Sequence, residues 1–267
     1  MNHKTSQPVA VITGASSGIG ESYARQLASE GFSLLLIARN LEKLQNLAEM
    51  LRSQYNVTVD VESVDLADSE QMKLLASKIK ALENLEYMIN NAGFGLGKRF
   101  PDVDIEAESS MIRVHCEATV RLSQAALEAM VPRKKGFLIN VASMAAFLTG
   151  PGAADYCATK AFINSFSKSI QDDVREFGIR VQSLCPGYVR TGFHAAPTMK
   201  DYDISEIPNF LWLKSDRVVR DSLRMIRRRC PRVSFIPSLR YKLAYFLLTC
   251  PVIAPTLKFC FNRRLKR

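Results

Sequence analysis

The sequence lacks the marks of several protein classes. None of its six cysteines, at 116, 157, 185, 230, 250 and 260, belongs to a CxxC pair. That argues against a zinc site or a thioredoxin-type motif, and reduced thiols in the cytoplasm are the simple expectation. There is no polar low-complexity tract and no repeat of solenoid period. The opening, MNHKTSQPVAVITG, has no apolar stretch of signal-peptide length, so secretion is not expected. The longest apolar stretch, 243–261, is interrupted by Pro251, Pro255 and Lys258. A membrane-crossing helix needs roughly 20 apolar residues, so two short helices bent at the prolines are expected there instead.

Acidic residues are scarce near the end. From Lys214 onward fifteen Lys/Arg face only Asp216 and Asp221, a net charge of +13, whereas the preceding residues carry −3. A basic tail of this kind suits an anionic membrane surface or a nucleic acid, or forms a solvated rim. The arginines lack a recognition-helix or zinc pattern, so nucleic acid is not an expected partner.

What is present is a chain of 267 residues, 47% hydrophobic and 23% charged, enough for a large buried core. Short apolar runs at 9–13, 33–38, 57–65, 85–90, 137–143 and 179–187 read as strands. Stretches with helical spacing separate them, at about 20–31, 41–54, 68–82, 106–131 and 155–177. Strict alternation predicts an α/β fold, a Rossmann-type doubly wound parallel sheet with helices on both faces.

Between the first strand and the first helix lies TGASSGIG, 13–20, with glycines at 14, 18 and 20. Glycines let the backbone turn tightly, and the helix start offers free N–H groups and a positive dipole to a phosphate. NNAG follows the fourth strand at 90–93, and Ser143 closes the fifth. Tyr156 and Lys160 stand four apart in ADYCATK, and PGYVRT occupies 186–191. In this order and at these separations, over about residues 8–195, the set resembles the short-chain dehydrogenase/reductase family.

The resemblance implies one Rossmann-type oxidoreductase domain over 1–267. It would carry a substrate lid at about 190–230 and a basic, apolar C-terminal extension at about 231–267. It implies a nicotinamide cofactor bound by Gly14, Ser16, Ser17, Gly18, Ile19 and Gly20. The strand ending Ile37-Ala38-Arg39 lacks the carboxylate that would meet the ribose of NAD; Arg39, with Lys43 a turn later, suits a 2′-phosphate instead. NADP(H) is therefore the expected cofactor. Asp65 and Leu66 match the family's adenine contacts, and Asn91, Ala92 and Gly93 a wall near the adenosine ribose. Pro186, Gly187, Val189 and Thr191 match the segment on the nicotinamide side.

The implied chemistry is hydride transfer between nicotinamide and a carbonyl/alcohol pair. Tyrosine's ordinary pKa, about 10, is poorly matched to neutral pH. An ammonium one helical turn away would lower it. The implied roles are Tyr156 as acid/base and cofactor contact, Lys160 as tuner and cofactor anchor, and Ser143 as orienter of the substrate oxygen. Many family members carry an Asn, holding a relay water, where this chain has His115. Two readings stand for His115: an altered relay, or a packed histidine with no part in it. Nothing marks Cys116, Cys157 or Cys185 as a nucleophile.

Phe193, Met199, Ile204, Ile207, Phe210 and Trp212 would wall an apolar substrate pocket or form a packed surface loop. A bulky hydrophobic ketone or secondary alcohol is the expected substrate. The segment after Tyr241 reads either as an interfacial anchor touching membrane peripherally, or as a cover for the pocket or a dimer partner. The helices at 106–131 and 155–177 are expected to pair copies into a homodimer or homotetramer. A non-catalytic, redox-sensing cofactor binder is the alternative class, against which the intact Ser143, Tyr156 and Lys160 set argues.

Overall fold

The computed structural model describes residues 7–194, 196–200, 204–205 and 207–249. The extension from 250 onward, expected as the second bent helix, lies outside the described residues.

Seven parallel strands form the main sheet. They are β1 (Val9–Thr13), β2 (Ser33–Ala38), β3 (Val59–Ser63), β4 (Leu85–Asn90), β5 (Gly136–Val141), β6 (Ile179–Leu184) and the short β9 (Ser234–Phe235). Their spatial order is β3-β2-β1-β4-β5-β6-β9. The chain winds outward from β1 in one direction, then restarts at β4 in the other. The crevice between the carboxyl ends of β1 and β4 is therefore the topological switch point, where such sheets bind ligands.

Strand alternation supplies two cores. Ala10 and Ile12 face one side with Tyr23, Ala24 and Leu27 of α1 (Gly18–Ser29) and Leu44 of α2 (Leu41–Tyr55). Val11, Leu35 and Ile37 face the other with Met72, Leu75 and Ile79 of α3 (Ser69–Lys80). Both sheet faces are thus covered, as parallel sheets require.

The long helix expected at 106–131 is not continuous. It runs as α4 (Ile105–Ile112), a π-helical turn over Arg113–Glu117, then α5 (Ala118–Met130). Such single wide turns recur at functional sites, and this one carries His115. After β5 comes α6 (Ala154–Val174). Beyond β6 a two-stranded pair, β7 (Val189–Arg190) and β8 (Leu213–Lys214), brackets the lid segment. Residues 215–226, within the region expected to hold the lid, form a helix, α7 (Ser215–Ile226), packed on α1. Ser22 donates to Asp216 at 2.7 Å, and Tyr23 Oη and Ser222 Oγ are 2.5 Å apart. The last described helix is α8 (Leu239–Thr249). Among the described residues no helix is long and apolar enough to cross a membrane.

Candidate active site

The glycine turn is a close-packed cradle. Gly14 and Gly18 take positive φ, 62° and 61°, where side chains with a Cβ are strained. A Cβ on Gly20 would run into the Gly14 carbonyl, and one on Gly18 would lie 2.8 Å from the Thr191 methyl. Ser17 occupies the cap position of α1 without making a side-chain cap. The first turn of α1 therefore keeps unused N–H groups beside a backbone that tolerates close approach. Ser16, Ser17 and Ile19 line this turn. The arrangement fits the pyrophosphate of a dinucleotide.

Asn91 builds the cradle from the β4 side. Its amide donates to the carbonyls of Thr13 (2.9 Å) and Gly14 (3.1 Å). Thr13 Oγ1 accepts the backbone N–H groups of Asn91 (2.9 Å) and Ala92 (3.0 Å). The Asn91 amide thus ties β1 to β4, and Thr13 is a tie the sequence reading passed over.

At the adenosine side Arg39 and Lys43 are exposed where β2 meets α2. Asn40 caps α2, accepting the Lys43 N–H at 2.9 Å. The Arg39 carbonyl accepts from Ser63 at 3.0 Å. Two cations at a helix N-terminus make a ready phosphate subsite. Asp65 closes the turn after β3, its Oδ1 accepting the Ala67 N–H at 2.9 Å, and Leu66 is buried beside it.

The reacting groups meet at the ends of β5 and α6. Ser143 stands in extended backbone after β5, and its Oγ accepts the Ala145 N–H at 3.1 Å. Met144 N–H donates to the Pro186 carbonyl at 2.8 Å, which ties this loop to the segment after β6. Tyr156 and Lys160 share one face of α6, with Nζ 5.5 Å from the Tyr156 ring centre. Burial pushes the Tyr156 hydroxyl up to about 12, and the nearby Ser143 hydroxyl only partly offsets this. Burial also lowers the Lys160 ammonium to about 8, and Nζ donates to the Val141 carbonyl at 3.2 Å. The i,i+4 spacing predicts that Lys160 sets the tyrosine's acidity; here enclosure is the larger influence. A hydroxyl held protonated in this way suits a proton donor.

His115 is buried behind this pair. Its Nε2 accepts the Phe94 N–H at 3.2 Å, so the proton sits on Nδ1, 2.9 Å from Thr159 Oγ1. Thr159 in turn donates to the Tyr156 carbonyl at 2.9 Å. Burial first, then the Lys160 charge, holds the imidazole well below its usual pKa. Both ring nitrogens are engaged by the protein, and Gly93 leaves the space the ring needs. Burial also raises the thiols of Cys116, Cys157 and Cys185, away from nucleophile character.

Above Tyr156 the walls are aromatic. Phe193 lies 5.9 Å from its ring, Phe94 6.1 Å from His115, and His194 5.2 Å from Trp212. Met199 is buried, and a Cβ on Gly95 would lie 2.8 Å from its sulfur. Thr198 accepts the Gly97 N–H at 3.3 Å, which joins the lid to the loop after β4. Ile204 and Phe210 point outward, so the expected apolar lid divides into an inner and an outer set. Val189 is buried, while Thr191 Oγ1 accepts the Phe193 N–H at 3.3 Å.

One contributor had no sequence signal. The Tyr241 ring of α8 fills the space beside Gly187. Its hydroxyl accepts the Tyr188 N–H at 3.0 Å and donates to the Leu211 carbonyl at 2.8 Å. Tyr241 thus latches the 186–188 segment to the end of the lid. It lies 53 residues from Tyr188, in a stretch that reads only as apolar and basic.

A sequence model of the short chain dehydrogenase family matches residues 8–201. A protein of Staphylococcus aureus strain USA300, described as an uncharacterized oxidoreductase, is 36% identical over 205 residues. That match spans 74% of this chain and 87% of the relative. A short-chain dehydrogenase from Sphingobium yanoikuyae, solved with NADPH, superposes with a TM-score of 0.80 at 28% identity, covering 89% of this chain and 92% of that one. The bulky-bulky ketone specific alcohol dehydrogenase of Comamonas testosteroni superposes at 0.78 with 28% identity, covering 90% and 91%.

Proposed function

The chain belongs to the short-chain dehydrogenase/reductase family, and on that premise we propose that it is an NADP(H)-dependent oxidoreductase acting on bulky, apolar ketones or the matching secondary alcohols. The observation that carries this reading is the convergence of Ser143, Tyr156 and Lys160 beside an uncapped glycine cradle at the switch point. When bound, the nicotinamide supplies or accepts the hydride. Ser143 Oγ orients the substrate oxygen. Tyr156 gives its proton to that oxygen as negative charge develops, and takes it back in the oxidative direction. Lys160 anchors the cofactor ribose and keeps a positive charge near the developing phenolate. His115, through Phe94 and Thr159, positions the wall behind Tyr156 rather than moving a proton.

Exposed Arg39 and Lys43 support NADP(H) over NAD(H), and the NADPH-bound relative agrees. The inner aromatic set, with the bulky-ketone specificity of the Comamonas relative, supports the substrate class. A homodimer or homotetramer through α4–α5 and α6 is supported by Ile112 and Phe162, both exposed, with Phe162 stacked on Phe166. Sedimentation equilibrium tests it; a monomer at micromolar concentration would end that reading.

The function is tested with a panel of ketones graded from small to bulky, read by NADPH and NADH absorbance. Faster turnover of bulky ketones with NADPH is expected. Equal use of NADH, or turnover of small polar ketones alone, would contradict it.

A further inference from the structure

α8 presents apolar side chains to two sides. Its inner side holds the cleft: Tyr241 latches the 186–188 segment to the lid, and Tyr245 packs edge-on against Phe147 at 4.6 Å. Its outer side is exposed among the described residues. Leu239, Leu243 and Phe246 recur at i, i+4 and i+7, and are 81%, 58% and 61% exposed. That spacing places them in one stripe. The stripe continues onto the lid, because the Arg240 guanidinium contacts the carbonyl of Phe210, itself 62% exposed. A single exposed leucine is ordinary, but four large apolar side chains on two adjoining elements form a patch that marks an interaction surface.

The surrounding charge selects the partner. Arg240 and Lys242 lie on the same helix, and exposed Arg190 and Lys214 flank the lid. The sequence from 250 to 267 adds Lys258, Arg263, Arg264, Lys266 and Arg267 without one carboxylate, among apolar residues such as Ile253, Leu257 and Phe259. A second copy docked here by a twofold would set these cations against their own kind. An anionic bilayer satisfies both features, since it accepts the apolar stripe and attracts the flanking cations.

We propose that the outer face of α8, together with Phe210, docks on the surface of an anionic lipid bilayer and sets the mouth of the substrate cleft against it. The protein lies on the bilayer and does not span it. Docking stands on exposure and charge; its use, delivery of an apolar carbonyl compound from the lipid phase, rests on the oxidoreductase function proposed above.

The test is co-sedimentation of the full chain with extruded vesicles. One set is phosphatidylcholine alone; the other contains phosphatidylserine at roughly a third of the lipid. Binding to the anionic vesicles is expected, weakened by salt. The triple variant Leu239→Asp/Leu243→Asp/Phe246→Asp should lose at least roughly tenfold in vesicle partitioning. Its turnover of a water-soluble ketone should stay within about twofold of the parent. Leu239→Asp alone, at the most exposed position, carries the same test should the triple variant not fold. Failure of the parent to bind anionic vesicles, or equal binding by the variants, would overturn the proposal. So would a dimer in light scattering that the triple variant converts to monomer, since a second copy would then be the occupant. If no ketone is reduced yet vesicle binding behaves as expected, the docking surface stands and the oxidoreductase function falls.

Discussion

The two ends of the cleft are built by different means. At the proposed cofactor end, Thr13, Gly14, Gly18, Gly20 and Asn91 are placed by short turns after β1 and β4, and bonds from the Thr13 and Asn91 side chains to the backbone do most of the holding. At the proposed substrate end, Phe94, Phe193, Trp212 and Tyr241 arrive from three segments, the loop after β4, the lid and α8, and are held by ring packing and one hydroxyl latch. At the first end, nothing larger than glycine fits at 14, 18 and 20. The second can change its shape by changing side chains, which is how one scaffold serves many substrates.

Substitutions that separate the two ends follow from this contrast. Lys160 joins them, so its loss has the largest effect. Lys160→Met should lower turnover by roughly three orders of magnitude, since it removes both the anchor and the charge beside Tyr156. The same change should stabilise the fold. Burial lowers the folded pKa of Lys160 to about 8 from the ordinary 10.5. Between these values the unfolded chain binds more protons, so parent stability rises with pH across that window. The variant's advantage is therefore greatest below pH 8 and vanishes above the unfolded pKa. It amounts to at most about 3 kcal/mol, less the lost bond to the Val141 carbonyl. Melting curves at several pH values check the sign.

Arg39→Asp acts on the cofactor end alone. It should weaken NADPH binding by roughly one to two orders of magnitude, the size of a lost charge-assisted contact, and affect NADH much less. Isothermal titration with both cofactors reads the split.

The substrate end responds more gently. Tyr241→Phe removes the latch and should destabilise the protein by about 1–3 kcal/mol. The KM for bulky ketones should rise more than that for small ones. An equal change for both would show that the latch does not shape the pocket.

These ends also differ in how far the sequence discloses them. The glycine turn and the Tyr156–Lys160 spacing are readable because local geometry dictates residue type: only glycine accepts the close approach at 20, and i,i+4 places two side chains on one face. The strand and helix order follows from periodicity in the same way. The π turn at Arg113–Glu117 was not readable, since apolar spacing through it is still nearly helical. Tyr241 was invisible because its partners are a backbone N–H and a carbonyl, which impose no residue type on the segments they belong to. The raised pKa of Tyr156 was likewise hidden; spacing shows its neighbour, whereas enclosure depends on the whole fold.

The smallest expected effect belongs to His115. With both nitrogens bonded and burial lowering its pKa, it is expected to contribute no inflection to the pH–rate profile near neutrality. His115→Ala should lower turnover more than cofactor affinity by unseating Phe94. The profile should keep its shape, and a lost inflection between pH 6 and 8 would restore the relay reading.

The most direct measurement is reduction of a bulky ketone with NADPH carrying deuterium at the transferred position of C4, comparing the parent with Tyr156→Phe. The account predicts an alcohol with a single deuterium on its carbinol carbon from the parent. Product from Tyr156→Phe should be slower by roughly a hundredfold or more, with NADPH affinity unchanged. Undeuterated alcohol, or full turnover without the Tyr156 hydroxyl, would contradict it.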